Sequence, residues 1–455
     1  MTDLQTPPKQ MTHWLAVPVG MYLLLAVLYL LVVPPGESPD EPGHLRCIEQ
    51  VAIEKHLPVV VTTTDESNDW RARENIISDY MCYHMPAYYM LSGQLLRVLA
   101  AVGNEPLSYK FPPINDDYES VPTMFAHDPP PTWWRVAQPM TLWGLRLLSI
   151  LLGLVILWAT YMVAQQVFPG QVAVALTAVT LIAGWPQFVF LSRAISNDSL
   201  ATALAVTILV LLTQVGQPRR FVLAALLSAL AFLTKLSVAF TVGMVLAVWL
   251  LELLFLADEK RPYWRALFWS SICWAGLALI VRLHSVLWEH WQFSMQDFSS
   301  SRTAILQPAY WQQVYVWTLN SGWAWFGWLS IRPPEWEARS VWLLIQIAAL
   351  LGVYVAVKRS PSRPYRVLLL ILAGWATAVF ISYIQVTSNR WQPQFRFAFA
   401  ILPLLGAFAA GGSITWLSRN SKWQWIAWAG LSMFLLLYNL WLIFGLLAPV
   451  YLIPS

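Results

Sequence analysis

The chain has 455 residues, 58% of them hydrophobic and 11% charged, with a formal net charge of +4. Soluble domains carry about 25% charged residues, so the composition excludes a soluble globular protein and fits an integral membrane protein. The small positive balance gives no nucleic-acid-binding surface, and three cysteines without C-x-x-C spacing give neither a disulfide scaffold nor a zinc ribbon.

A helix needs about 20 apolar residues to cross roughly 30 Å of hydrocarbon. Along the chain this predicts about eleven crossings, near 13–33, 140–167, 172–191, 199–215, 220–234, 237–257, 266–283, 339–357, 367–385, 397–417 and 424–446. The expected fold class is an all-α polytopic membrane protein. Residues 1–12 form a polar tail without a small-residue cleavage site, so the first apolar run is expected to remain as an anchor. The run 220–257 is too long for one crossing and is expected to turn near Lys235. Two modules are expected: 13–257, including an outer segment 34–139, and 258–455, including an outer segment 284–338.

Orientation follows from Lys and Arg in the short loops. "GQPRR" (216–220), "ADEKRPYWRA" (257–266), "KRSPSRPYR" (358–366) and "SRNSK" (418–422) alternate onto one side, together with the N-terminus. That side is expected to be the cytoplasm, with the long segments outside. In the first of these, 44–56 spaces Leu45, Ile48, Val51 and Ala52 on one face, an amphipathic helix suited to the interface plane. Residues 86–102 make a second interfacial candidate, and 104–139 reads as loop. Cys47 and Cys82 both fall in this segment. Two free thiols are the expected state, with one bridge as the alternative.

The chemistry-bearing residues gather at the same side. In "DEPGH" (40–44), Asp40 and His44 share a helical face at i, i+4 spacing. A carboxylate there can take a proton from an alcohol, or join an imidazole on a divalent cation. Equally, Ser38-Pro39-Asp40-Glu41 fits a capping box with Pro at the first helical position, and local sequence favours the cap. The turn "SRAISNDSLA" (192–201) puts Arg193 and Asp198 at the ends of consecutive crossings, where Ser196 or Asn197 can simply cap the next helix. Lys235 can snorkel, or hold a lipid phosphate. Arg390 and Arg396 stand at the entry of a later crossing, and Arg matches phosphate in bidentate geometry. His84, in "YHMPAYY" (83–89), is a packing residue or a ligand. Singly each has a structural explanation. Together they map far-apart ionisable groups to one membrane boundary, where such groups are by default functional candidates.

The succession of motifs resembles the GT-C superfamily of membrane-embedded glycosyltransferases, in particular bacterial relatives of protein O-mannosyltransferases and lipid A aminoarabinose transferases. The resemblance runs through "DEPGH" (40–44), "HMPAYY" (84–89), "LRLLSILLG" (145–153), "SRAISNDSLA" (192–201) and "LTKLS" (233–237), and more loosely "SGWAWFGWL" (321–329) and "FRFAFAILPLL" (395–405). Some relatives carry an acidic residue and a lysine where His84-Met85 stand here. The resemblance implies a GT-C-type fold and inverting transfer of a sugar from a polyprenyl-phosphate carrier to a glycan, lipid or protein acceptor. The reaction would take place on the extracytoplasmic face of the plasma membrane.

In that scheme Asp40 is the general base, with Glu41 and Asp198 as further catalytic carboxylates. Lys235 and Arg396, with Arg193 in reserve, hold the lipid phosphate, and His44 and His84 complete the substrate site. Asp40, His44 and Asp198 are also the set that would hold a divalent metal ion. A transporter or flippase, or a non-catalytic protein retaining the fold, is the alternative.

Overall fold

The computed structural model describes residues 12–58, 81–115, 121–126, 139–299, 303–359, 362–390, 393–416 and 421–452. The tail 1–11, most of the outer stretch 57–84, parts of 104–139 and the Arg390 side chain lie outside the described residues. What is described is helical. Its only β pairings are two isolated bridges, Ile114–Phe125 and Phe326–Ile331.

The chain enters through α1 (Ala16–Val32) and emerges into a short irregular segment, followed by α2 (Glu41–Glu54) and α3 (Ala87–Gly103). Then come α4 (Met140–Val167), α5 (Val172–Ala183), α6 (Pro186–Ser192), α7 (Asn197–Thr213), α8 (Arg220–Thr234) and α9 (Phe240–Phe255). The second half holds α10 (Arg261–Leu283), α11 (Ser285–Ser299), α12 (Pro308–Trp323), α13 (Glu335–Lys358) and α14 (Arg363–Arg390). A 3-10 turn, Phe395–Ile401, leads into α15 (Leu402–Trp416), and α16 (Ser421–Trp441) and α17 (Ala448–Leu452) close the chain.

Among the described residues, eight helices are long and apolar enough to cross a membrane. A ninth crossing results if α5 and α6 count as one bent span. The remaining two expected crossings, α7 and α8, are apolar helices of 17 and 15 residues. The expected turn at Lys235 is present: α8 ends at Thr234, Lys235 is extended, and a 3-10 turn leads into α9. The expected span at 172–191 is bent by 63°. Pro186 removes an amide from the ladder and cannot continue a helix without a clash. Gly184, just before it, lets α16 approach so closely that a Cβ would lie 2.7 Å from Leu435.

An inner group of helices is shielded by an outer one. Every residue of α5 is buried, as is most of α7, whereas α10, α13 and α16 expose rows of Leu, Ile, Trp and Phe as lipid-facing helices do. With no hydrophobic drive between helices in lipid, close approach comes from small residues. Gly352 of α13 and Gly412 of α15 sit so tightly against the backbones of Phe408 and Ala348 that no Cβ fits. Because α15 also packs on α4 and α5, both halves of the chain share one core.

The outer segment corrects two expectations. Helix α2 does not present its polar face to water: Glu49 is 4% exposed, pairs with Arg46 at 2.6 Å and accepts the Tyr109 amide at 2.6 Å. Segment 104–115 covers it. Cys47 and Cys82 are joined in a disulfide rather than free, their Cα atoms 5.4 Å apart, because α3 packs along α2 and brings 81–86 against it.

Candidate active site

The segment leaving α1 is tied from several directions before it reaches Asp40. Arg146 of α4 donates to the carbonyls of Val33 (3.4 Å) and Pro34 (3.2 Å). Trp328 Nε1 donates to Gly36 O at 2.8 Å, and the Glu37 carboxylate accepts the amides of Met124 (3.1 Å) and Phe125 (3.0 Å). These bonds fix the path of the backbone.

Asp40 stands at the N-terminus of α2 with φ 66°, the left-handed region, and its side chain makes no cap. The capping box expected Ser38 as cap with Glu41 three residues on; instead the helix begins at Glu41, whose carboxylate goes to Arg146. Ser38 contributes its carbonyl, not its hydroxyl, to the helix start. The left-handed turn, which Asp tolerates better than most residues, sends the carboxylate out of the helix.

There it meets Arg396, whose Nη2 donates to Asp40 Oδ2 while Nη1 donates to Pro39 O at 3.3 Å. Arg396 Nη1 also lies 4.0 Å from Asp198 Oδ2. Lys235 Nζ donates to the other oxygen of Asp198 at 2.5 Å and to Asn197 Oδ1 at 3.3 Å. The Phe397 ring underlies both cations, 4.9 Å from Arg396 and 5.3 Å from Lys235. Asp40, Arg396, Asp198 and Lys235 thus form one alternating chain of charge. Each comes from a different part of the sequence, and each sits at a helix end on the same side of the bundle. The two carboxylates are about one fifth exposed and the two cations less than one tenth.

A cavity of about 460 Å³, including its open mouth, adjoins this chain. Pro39, Asp198 and Arg396 line it together with apolar side chains such as Ile156, Phe188 and Phe399. Charged groups and an apolar wall therefore face the same space.

Glu41 points elsewhere. It is fully buried, receives Arg146 Nε and Nη2 at 2.8 Å each, and accepts the amides of Gly36 (3.0 Å) and Ile195 (3.2 Å). Burial alone would raise its carboxyl, but the Arg146 guanidinium more than offsets this and holds it below its ordinary value. Glu41 is a clamp between α2, α4 and the turn before α7.

His44 is 1% exposed, with Nδ1 2.9 Å from Tyr89 Oη and Nε2 3.4 Å from Ser196 Oγ. His84 is half-buried, its ring stacked 6.3 Å from that of His44. Arg193 is not brought to the charge chain. It is fully buried, 4.5 Å over the Phe190 ring, and its guanidinium nitrogens find no hydrogen-bond partner among the described residues. Among the described residues, no group of three or more His, Cys, Asp and Glu side chains converges as a metal-binding set. Asp40 and Asp198 are engaged by Arg396 and Lys235, and His44 by Tyr89 and Ser196.

Arg146 and Tyr89 carry roles that sequence reasoning did not assign, whereas Ser196 caps α7 as expected, its hydroxyl oxygen accepting the Asp198 amide. Arg146 left a signal: it is the only charge in the 28-residue apolar helix α4, and such a residue implies a buried partner. Tyr89 left none beyond its polarity.

The architecture is the all-α, GT-C-type fold expected from the sequence, a likeness of fold. A family model described as dolichyl-phosphate-mannose-protein mannosyltransferase matches residues 132–288. Among solved structures, the chain is similar to ArnT from Cupriavidus metallidurans in the apo state, with TM-score 0.50 and 13% identity. That match covers 92% of this chain and 62% of ArnT, so the chain spans less than two thirds of that protein's length. ArnT bound to undecaprenyl phosphate gives TM-score 0.46 and 14% identity, covering 97% of this chain and 74% of that one. The oligosaccharyltransferase AglB from Archaeoglobus fulgidus, in complex with an inhibitory peptide and a dolichol-phosphate, gives 0.45 and 12%, covering 94% and 55%. No curated protein matches the chain.

Proposed function

We propose that this protein is a glycosyltransferase that moves a sugar from a polyprenyl-phosphate carrier to an acceptor at the extracytoplasmic boundary of the membrane. The observation that carries this is the Asp40–Arg396–Asp198–Lys235 chain, set at one end of the bundle beside an apolar cavity. The matched family model, described by a dolichyl-phosphate-linked sugar, agrees in class.

In this scheme the isoprenoid tail lies among apolar helices and its phosphate takes bonds from Lys235 and Arg396, which stabilise the charge that develops as the phosphate departs. Asp40 is then the base. One of its oxygens accepts from Arg396. A donor phosphate drawing Arg396 away frees that oxygen to take the proton of the incoming acceptor, a role worth about 10²–10⁴-fold. Asp198 keeps Lys235 and Arg396 oriented. Direct attack by the acceptor on the anomeric carbon gives inversion, with the polyprenyl phosphate as the leaving group.

The sidedness rests on two signs. Short loops rich in Lys and Arg lie at the opposite ends of the helices from the site. The Cys47–Cys82 bridge sits on the site's own side, as disulfides do in oxidising compartments.

Asp40→Asn is the test. Purified variant and wild type are given a polyprenyl-phosphate-linked sugar, and release of free polyprenyl phosphate is measured. The variant should fold and bind donor but release at least about 100-fold less product. Near-normal turnover would remove Asp40 from the chemistry.

A further inference from the structure

Three side chains and two backbone groups form a hydrogen-bonded relay whose polarity can be assigned bond by bond. Tyr89 Oη lies 3.0 Å from Met81 O and 2.9 Å from His44 Nδ1. A phenol has one proton and a carbonyl can only accept, so both bonds are made only if Tyr89 donates to Met81 and accepts from His44 Nδ1–H. That choice fixes the tautomer and leaves Nε2 bare. On its other side, Ser196 Oγ lies 3.4 Å from His44 Nε2 and 3.2 Å from the Asp198 amide. The amide can only donate, so the serine oxygen accepts from Asp198 and its own proton turns toward Nε2.

Every donor in the series from the Asp198 amide to the Met81 carbonyl therefore points the same way. Tyr89, His44, Met81 and Ser196 are all buried. Burial holds the His44 imidazole down at about 4, against the pull of Asp40 and Asp198 and with that of Lys235 and Arg396. The ring is neutral at physiological pH, as the relay requires.

The relay joins the two carboxylate positions of the site. The His44 amide donates to Asp40 O at 3.0 Å, while the Ser196 hydroxyl caps α7 at Asp198. Met81 is anchored as well, because its neighbour Cys82 is bonded to Cys47, one turn beyond His44 on α2.

We propose that Tyr89 and Ser196 are positioning residues. Tyr89 holds His44 in its Nδ1–H tautomer, and the bare Nε2 holds the Ser196 hydroxyl so that Asp198 stays in register with Asp40. The activity consequence rests on the transferase proposal above; the tautomer does not.

The test reads both. The full-length protein, labelled with ¹⁵N-histidine in lipid nanodiscs, should show His44 protonated at Nδ1 and bare at Nε2, assigned by the signal lost in His44→Gln. Tyr89→Phe should move it toward the Nε2–H form and lower kcat by about 5- to 10-fold, the effect of roughly one hydrogen bond. The KM for the polyprenyl-linked donor should barely change. Ser196→Ala should lower kcat likewise, and Ser196→Thr, which keeps the hydroxyl, should restore most of it. A wild-type His44 bearing a proton on Nε2 would overturn the proposal, and that reading needs no Tyr89 variant to fold. Wild-type kcat in both Tyr89→Phe and Ser196→Ala would also overturn it. A correct tautomer in a wild-type protein without any transfer would instead overturn the transferase proposal, and the positioning role with it.

Discussion

Glu41→Gln separates two adjacent carboxylates that the structure gives opposite duties. Wild-type Glu41 takes two charge-assisted bonds from Arg146 at 2.8 Å and two backbone amides, with both side chains fully buried. Glutamine keeps one acceptor oxygen but removes the charge, and Arg146 is left buried with its cation unbalanced. Breaking a buried pair from one side costs about 3–5 kcal/mol. Glu41→Gln is therefore expected to lose that much stability, measured as the shift in an SDS-unfolding titration in mixed micelles.

Arg146→Gln should cost a similar amount, and the double variant clearly less than the sum, because neither partner is then orphaned. The pH dependence has a definite sign. A carboxyl held below its ordinary value contributes stability above the ordinary carboxylate range and loses it as pH falls through its folded value. Glu41→Gln should lack that acid limb. Whatever folded variant is recovered should still transfer sugar, unlike Asp40→Asn. Full stability together with abolished turnover in Glu41→Gln would refute the assignment and make Glu41 a chemical residue.

Lys235→Ala and Arg396→Ala should each raise the KM for a polyprenyl-phosphate-linked donor by about tenfold or more, the loss of one charge-assisted phosphate bond; an unchanged donor KM would exclude phosphate binding there. Cys47→Ser or Cys82→Ser opens a loop of 35 residues, an expected loss of up to about 4 kcal/mol, with lower turnover because the bridge braces the two segments bearing His44 and His84. A gel-mobility shift on reduction would verify the bridge itself. His44, with a free value of 6.5, is held at about 4 by burial. The unfolded chain therefore binds the proton first, and stability should fall as pH drops from 6.5 toward 4, by about 3 kcal/mol in full. Comparing unfolding of wild type and His44→Gln at pH 7 and pH 4.5 measures that share.

Much was legible in the sequence because the bilayer imposes a length and a polarity on each crossing helix. The apolar runs gave the all-α membrane class and the turn at Lys235. Asp40, Asp198, Lys235 and Arg396 stood out because a charge near membrane depth needs a partner. Which partner it takes is a long-range matter, and local pattern is silent on it. Around "DEPGH" the local sequence favours a helix cap over a reactive carboxylate. The left-handed turn at Asp40, enforced by the ties on residues 33–37, sends one carboxylate to Arg396 and leaves its neighbour with Arg146. The Cys47–Cys82 bridge and the partners of His44 arise in the same way, from contacts between segments tens to hundreds of residues apart. The sequence determined which groups reach the membrane boundary. Only the packing of α2, α3, α4 and α7 decided which of them face one another.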